Sequence, residues 1–322
     1  MAEKEEKERV CITGAGGYIA SWVVKLLLSK GFIVHGTVRE PCDGKNSHLK
    51  KLEKASENLK LFKADLLDYD GLCAAIDGCT GVFHIASPNL YPKVSNPQAE
   101  VVEPAVVGTL NILKACEKAR VKKVVVVSSV AAVILNPSWP KDRPKDEECW
   151  SDPEICKAPE NYYFLSKTLA ESEAWKHART SELDIVTVCP SFVFGPMLQP
   201  TLNASSYVFL TYLKDGPESM ENKDRPIIDV RDLAEAILLV YEKPEAQGRY
   251  ICSSYTISTQ ELVEKLKSMY PNYNYPKSYT AVEGLKLSSE KLQGLGWKYR
   301  PLEETLVDAI KSFQEKGFLP KH

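Results

Sequence analysis

Two side chains in the middle of the chain have the types and spacing needed for acid–base chemistry. Tyr163 and Lys167 are four residues apart in a helical stretch, 162–180, so they lie on one face of the predicted helix. A neighbouring ammonium stabilises a phenolate, and we therefore expect Lys167 to lower the pKa of Tyr163 toward the range that suits a proton donor. Such pairs are common on solvated helix faces, so this one predicts chemistry only with further support.

Ser128 and Ser129 give that support. Ser128 ends a nearly pure run of β-branched residues, 123–128, and Ser129 directly follows it. Runs of this kind are found in strands that are buried on both faces of a parallel sheet. The carboxyl ends of parallel strands meet at one edge of the sheet, where ligands bind. A serine hydroxyl at this edge can meet Tyr163 above a nicotinamide ring, which is an arrangement suited to the transfer of a hydride and a proton.

A glycine-rich turn near the start of the chain predicts a dinucleotide site. Gly14 permits a tight turn, Gly17 lets backbone amides approach a pyrophosphate, and Ala20 keeps the following helix close to the sheet. The N-terminus of that helix adds N–H donors and partial positive charge. The turn follows the first predicted strand, which makes the pattern specific. The predicted contacts are Thr13, Gly14, Gly16, Gly17, Tyr18 and Ile19.

Arg39 ends the second predicted strand, at a position where NAD-binding units carry Asp or Glu. An arginine there favours the 2′-phosphate of NADP(H), and Lys45 adds a second cation. Glu40, next to Arg39, keeps NAD as the alternative. The ends of the third and fourth strands supply further predicted cofactor contacts, namely Asp65, Leu66, Ile85, Ala86 and Ser87.

Alternating strands and helices must position these residues. Strands are predicted at 8–13, 32–38, 59–64, 81–86, 123–128 and 184–189, with helices at 22–28, 69–76, 100–119 and 162–180. This order predicts an α/β fold with a Rossmann-type, doubly wound parallel sheet and a smaller C-terminal substrate-binding region. We expect the NADP(H)-binding domain at 1–190, with returning segments near 227–252, and the mainly substrate-binding region at 191–322.

The composition excludes several classes of partner. The 322 residues include 41 basic and 43 acidic side chains and carry a formal net charge of −2, so no field attracts nucleic acid or an anionic membrane. No apolar run reaches the roughly 18 residues of a membrane span, and the charged start is unlike a secretory signal. We expect a cytoplasmic protein with reduced thiols, a small-molecule substrate and no metal. The oligomeric state stays open, a monomer included.

Together these motifs resemble the extended short-chain dehydrogenase/reductases. The likeness runs nearly end to end to the plant subgroup of dihydroflavonol reductases, cinnamoyl-CoA reductases and short-chain cinnamyl-alcohol dehydrogenases. The shared strings are 14–21, 81–84, 148–152, 199–205 and 229–232. The resemblance implies Ser129, Tyr163 and Lys167 as catalytic residues, with Ser128 in a structural role beside the cofactor. Tyr163 and Lys167 are also implied as cofactor contacts, Lys167 at the nicotinamide ribose. It also implies a nicotinamide end formed by Pro190, Ser191, Val193 and Ser205, and a redox clip formed by Cys149 and Cys156.

The resemblance also bears on the substrate. The His and Lys that contact CoA in the cinnamoyl-CoA reductases fall here on Val208 and Thr211, and an Arg falls near Ile257. Their loss removes the charge complement of a CoA phosphate tail. We therefore expect reversible, NADPH-dependent reduction of a phenylpropenyl aldehyde. Reduction of the CoA thioester, reduction of a flavonoid ketone and a cofactor-sensing role without catalysis are the alternatives. The apolar wall for the aromatic ring is predicted at Val133, Phe192, Met197, Leu198 and Tyr207, and a place in the core is the alternative for each of them.

Overall fold

The structure, a computed structural model, describes residues 7–88, 94–158, 161–214, 216–282 and 284–321. The strands are β1 (Arg9–Ile12), β2 (Ile33–Val38), β3 (Leu59–Lys63), β4 (Gly81–His84), β5 (Lys123–Val127), β6 (Asp184–Pro190), β7 (Phe192–Phe194), β8 (Met220–Asn222), β9 (Asp224–Asp229), β10 (Gly248–Cys252), β11 (Tyr255–Ser258) and β12 (Tyr279–Ala281). The α-helices are α1 (Tyr18–Ser29), α2 (Ser47–Lys50), α3 (Ala55–Asn58), α4 (Tyr69–Ile76), α5 (Glu103–Ala119), α6 (Tyr162–Ala178), α7 (Ala204–Lys214), α8 (Val230–Glu242), α9 (Thr259–Met269), α10 (Glu290–Gly294) and α11 (Leu302–Glu315).

The main sheet is parallel, with the strand order β10-β6-β5-β4-β1-β2-β3. From β1 the chain builds outward through β2 and β3, and then crosses back to β4 on the other side. The order therefore reverses between β1 and β4, and ligands bind in the crevice beyond the carboxyl ends of strands at such a reversal. The predicted doubly wound Rossmann-type fold is confirmed.

Only one of the two segments predicted to return to the main sheet does so. Gly248–Cys252 joins the main sheet as β10, parallel to β6. Residues 227–229 instead belong to β9, the middle strand of a separate three-stranded sheet with the order β11-β9-β7. The expected return of that segment to the main sheet is thus wrong. The chain turns into α8 directly after β9 because the Asp229 side chain accepts a hydrogen bond from the Arg231 amide at 2.8 Å and caps the helix.

Apolar layers cover both faces of the sheet. One face packs against α1 and α8, and the buried positions Leu233, Ala236, Ile237 and Val240 of α8 have the spacing of a single helix face. Three aromatic rings extend this core into the C-terminal region, because Phe209 stacks on Phe194 at 4.6 Å and meets Phe313 edge-on at 5.7 Å. Each such ring contributes about 1.5–3 kcal/mol by burial. Across the described ranges, every helix is too short or too polar to traverse a bilayer.

Candidate active site

The glycine-rich turn lies at the reversal of strand order and its shape depends on small residues. Gly14 has φ of +66°, and a Cβ there would come within 2.9 Å of the Ala86 Cβ. Gly17 caps α1 without any side-chain acceptor, so the first amides of the helix remain available to a ligand. A cradle of this kind fits a pyrophosphate, which satisfies the free N–H groups at a helix N-terminus.

A buried chain of hydrogen bonds fixes this turn against β4. The Thr13 hydroxyl accepts from the backbone amides of residues 85 and 86, both at 3.0 Å, and lies 3.0 Å from Nδ1 of His84. Nε2 of His84 lies 3.1 Å from the Thr109 hydroxyl. Burial, together with the charge of Lys167, lowers the pKa of His84 to about 3, so the ring is neutral and Nδ1 accepts from Thr13. Sequence reasoning gave His84 no role, although its apolar neighbours in β4 indicated that it is buried.

The cations predicted for a 2′-phosphate differ in their availability. Arg39 is exposed and forms no ion pair with any part of the chain that the structure describes. Lys45 instead pairs with Asp43 at 2.7 Å, which neutralises its charge locally. Glu40 faces Lys63, at 3.4 Å. Arg39 is therefore the side chain that can meet a phosphate without first breaking an ion pair.

Residues at the end of β3 form a fixed edge of the crevice. Asp65 is exposed and its carboxylate accepts from the Leu67 amide at 3.1 Å. Leu66 is half-buried and its carbonyl accepts from the Asn111 side chain at 3.0 Å. A Cβ on Gly108 would approach the Leu66 Cβ to 2.7 Å, so α5 packs closely against this leucine. The arrangement fixes the two predicted cofactor contacts, a carboxylate and an apolar side chain, at the end of β3.

Ser129, Tyr163 and Lys167 converge at the carboxyl edge of β5. Ser129 is buried and caps a short 3₁₀ turn, its hydroxyl accepting from the Ala131 amide at 3.1 Å. Tyr163 is half-buried in the first turn of α6, and its phenol interacts with the Ser129 hydroxyl. The Lys167 ammonium donates to the Val127 carbonyl at 3.3 Å, one turn further along α6.

The pKa shifts at this site differ from the sequence expectation. Burial raises the pKa of Tyr163, and Ser129 lowers it by a smaller amount, so the expected lowering by Lys167 is wrong in direction. The phenol is removed from water, which disfavours its charged form. Burial also lowers the pKa of Lys167 to about 8, although Cys189 and Glu171 act to raise it. Near neutral pH the arrangement holds a protonated phenol beside an ammonium.

A buried carboxylate, Glu171, lies behind the three residues and was missed by sequence reasoning. It is the next residue on the Tyr163 and Lys167 face of α6, again four positions along, and that spacing was the available signal. Its carboxylate accepts from the Ser128 hydroxyl at 2.6 Å and from Arg249 Nε at 2.7 Å. The Ser128 hydroxyl thus has a structural partner in Glu171, which agrees with the structural role that the resemblance implies.

Arg249, from β10, joins this carboxylate to the loop that carries Ser129. Its guanidinium donates to the Cys149 carbonyl at 2.8 Å and to the Ala132 carbonyl at 3.3 Å, and it lies 3.7 Å from the centre of the Trp150 ring. A charged pair without exposure to water is stable only when further hydrogen bonds complete it, as they do here. The pair ties α6 to the loop after β5.

The predicted nicotinamide-end residues are brought together by β6, β7 and α7. Pro190 ends β6, and the Ser191 amide donates to the Cys252 carbonyl at 3.0 Å. The Ser205 hydroxyl donates to the Val193 carbonyl at 2.6 Å, so it holds α7 against β7. Two side chains of the glycine-rich turn also have structural partners: the Tyr18 phenol donates to the Gly195 carbonyl at 3.0 Å, and Ile19 packs on the core.

The predicted apolar wall is not a single surface. Val133 and Met197 are buried in the core, Phe192 and Leu198 are half-buried, and Tyr207 is exposed. Val133 and Met197 thus agree with the alternative, burial in the core, whereas Phe192, Leu198 and Tyr207 keep some exposed surface.

The two cysteines of the predicted redox clip are both reduced in the structure. Cys149 and Cys156 are free thiols in two separate apolar clusters. Burial raises the pKa of both thiols, so their reactive thiolate forms are disfavoured.

Comparison with known proteins defines the class of this chain. The model of the NAD dependent epimerase/dehydratase family matches residues 10–253, and the chain belongs to that family. The chain is 45% identical over 316 residues to cinnamoyl-CoA reductase 1 of Petunia hybrida, which covers 97% of this chain and 93% of the relative. Within the family, it thus groups with the plant cinnamoyl-CoA reductases and related reductases.

Solved structures agree with this assignment. Vestitone reductase from alfalfa superposes with a TM-score of 0.82 at 32% identity, over 97% of this chain and 100% of that one. The NADPH complex of yeast methylglyoxal/isovaleraldehyde reductase Gre2 gives a TM-score of 0.82 at 27% identity, over 97% and 100% of the two chains.

Proposed function

We propose that this protein is an NADPH-dependent reductase that converts a cinnamoyl-type CoA thioester to the aldehyde. The observation that carries reduction is the convergence of Ser129, Tyr163 and Lys167 beside the dinucleotide turn. The choice of the thioester rests on the kinship with cinnamoyl-CoA reductases, since 45% identity extends over nearly the whole chain. The aldehyde favoured by the sequence thereby becomes the second candidate.

The side chains of the site support a short reaction scheme. Bound NADPH supplies the hydride for the carbonyl carbon. Ser129 donates a hydrogen bond to the oxygen as it gains charge, and Tyr163 gives that oxygen its proton. Lys167, protonated near pH 7, stabilises the resulting phenolate. The resulting hemithioacetal then returns its hydroxyl proton to the Tyr163 phenolate as its C–S bond breaks, and the CoA thiolate that leaves takes up a proton. In sum, one thioester, one NADPH and one proton yield one aldehyde, one CoA thiol and one NADP⁺.

NADPH is the proposed cofactor because of Arg39. This arginine lies at the end of β2 without an ion pair among the described residues, and Glu40 beside it faces Lys63. A guanidinium binds a phosphate through two parallel hydrogen bonds, whereas the unphosphorylated ribose of NADH has no charge to offer it. The relatives crystallised with NADPH support the same choice.

Reduction of a free phenylpropenyl aldehyde is the second candidate, and one feature of α7 favours it. Val208 and Thr211 offer no charge to a CoA phosphate, and the Thr211 hydroxyl is occupied by a hydrogen bond to the Val208 carbonyl at 2.7 Å. An aldehyde has no phosphate tail, so it loses nothing at these positions.

A substrate panel tests the proposal. Feruloyl-CoA, cinnamoyl-CoA, coniferaldehyde and cinnamaldehyde are each assayed with NADPH and with NADH, and Tyr163→Phe serves as the inactive control. We expect the higher kcat/KM for a CoA thioester with NADPH. A higher kcat/KM for the aldehydes would overturn the proposal in favour of the second candidate, and no turnover of either class would overturn both.

A further inference from the structure

Arg225 differs from the other arginines that lie below the surface. Arg231, Arg249 and Arg300 each pair with a carboxylate, at 2.6 Å, 2.7 Å and 2.8 Å. Arg225 is half-buried in β9 and, among the residues that the structure describes, has no such partner. Its contacts are the Thr259 hydroxyl, 3.4 Å from Nε, and the face of the Phe192 ring, 5.3 Å from the guanidinium carbon. Most of its five N–H donors are therefore free to bind an anion.

The position of Arg225 connects it with the substrate side of the crevice. Phe192, under its guanidinium, directly follows Pro190 and Ser191 at the end of β6. In the antiparallel pair of β9 and β11, Arg225 lies opposite Ile257. Directly opposed residues of such a pair present their side chains on the same face of the sheet. The cinnamoyl-CoA reductases carry an arginine near the position of Ile257. In this chain Arg225 supplies a cation next to that position, from the neighbouring strand.

A second unsatisfied donor lies close to this arginine. Tyr212 of α7 is 1% exposed, and its hydroxyl has no hydrogen-bond partner within the described ranges. Burial raises the pKa of Tyr212, while the nearby charge of Arg225 lowers it. A buried hydroxyl without a partner costs free energy, and a bound ion or water beside it is one way to satisfy the group.

We propose that Arg225, assisted by the Tyr212 hydroxyl, binds a phosphate group of the substrate at the end remote from its reacting carbonyl. This inference rests on the proposed reduction of a CoA thioester, whose tail carries phosphates. It also explains why uncharged residues at 208 and 211 are compatible with such a substrate, because the cation comes from β9 and not from α7. Arg225 is then a specificity-determining residue, and it takes no part in the chemical step.

Substitution of Arg225 tests this site. Arg225→Gln is expected to lower kcat/KM for feruloyl-CoA about tenfold or more, mainly by raising KM. The kcat/KM for coniferaldehyde is expected to change less than threefold. Arg225→Lys keeps the charge without the planar fork, so an intermediate loss is expected. Tyr212→Phe is expected to give a smaller loss in the same substrate. Arg179→Gln, at an exposed arginine, is the matched control and is expected to leave both substrates unaffected.

Binding of free CoA separates this inference from the proposed function. The dissociation constant of CoA is measured by titration of the NADP⁺-loaded protein, and we expect it to be at least tenfold higher in Arg225→Gln than in the wild type. We also expect added salt to raise this constant more in the wild type than in the variant. Equal CoA affinity in wild type and variant, or equal losses for the thioester and the aldehyde, would overturn the site. A wild type that binds CoA through Arg225 but reduces only aldehydes would retain the site and overturn the proposed reaction.

Discussion

The carboxylate of Glu171 and the guanidinium of Arg249 meet at 2.7 Å although 78 residues separate them in the chain. Neither side chain is more than 7% exposed. The pair lies between the helix that carries Tyr163 and Lys167 and the loop that carries Ser129. A substitution that removes either charge leaves the other unpaired and away from water, and it therefore lowers the free energy of unfolding.

Glu171→Gln is therefore expected to destabilise the protein by about 3–5 kcal/mol, the cost of an uncompensated buried charge. The measurement is the free energy of unfolding in urea. Glu173→Gln, which removes the half-buried partner of the exposed Lys176, is the matched control and should cost less than about 1 kcal/mol. Similar losses for the two variants would show that the buried pair has no special weight.

Tyr163→Phe is expected to lower turnover by about 10²–10⁴, the range for loss of a general acid. The phenol is the proton donor of the proposed scheme, whereas the glycine-rich turn and Arg39 supply the main proposed contacts to the cofactor, so NADPH affinity should change little. Stopped-flow turnover and fluorescence titration with NADPH give the two quantities. Turnover within a few-fold of the wild type would remove Tyr163 from its assigned role.

Arg39→Ala is expected to weaken NADPH binding about tenfold or more and to leave NADH binding nearly unchanged, because only NADPH carries the phosphate. Lys45→Ala is the informative comparison. Asp43 already neutralises Lys45 at 2.7 Å, so its loss should matter less than that of Arg39. Equal losses for both cofactors in Arg39→Ala would contradict the assignment.

The pH profile of kcat/KM is expected to fall as pH rises through about 8. Lys167, with a pKa of about 8, is mostly protonated at pH 7 and loses its charge across this range. Burial raises the pKa of Tyr163, so the phenol keeps its proton over the same range and does not cause the decline. Lys167→Arg keeps the charge to higher pH, and in this variant the decline should move upward or disappear. An unmoved decline would assign it to another group.

Thiol reactivity tests the redox clip. Cys42 is exposed, whereas Cys149 and Cys156 are fully buried. Ellman's reagent is expected to modify Cys42 rapidly in the folded protein, and Cys42→Ser should lose that fast phase. A mass lower by two hydrogens on a peptide pair containing Cys149 and Cys156, after mild oxidation, would instead establish the clip.

The sequence predicted the main sheet well because its strands have strong local signals. The β-branched run that forms β5 and the glycine turn after β1 are each recognisable without tertiary information. The small sheet of β7, β9 and β11 was not predicted, since its strands are short and Pro226 interrupts the pattern. Helix α5 begins at Glu103, after a wider turn over Gln98–Val102, which apolar periodicity does not distinguish from helix.

The contacts that surround the site were harder to predict from the sequence. Ser129, Tyr163 and Lys167 follow from spacing, but the partner of Glu171 depends on which strand lies beside β6. The same holds for Arg225, which is placed opposite Ile257 only by the register of an antiparallel pair. The resemblance to cinnamoyl-CoA reductases indicated which cations are missing, at 208, 211 and near 257. It could not indicate a cation that a different strand places beside the same position.

The parallel pairing of β10 with β6 also constrains how the chain folds as it is synthesised. The nascent chain completes six strands of the main sheet well before Arg249 emerges, and β6 is an open edge until β10 arrives. Open edges invite pairing with other chains, and Glu171 has no counterion during that interval. A ribosome-released fragment ending near residue 190 should therefore aggregate, because it contains neither β10 nor Arg249.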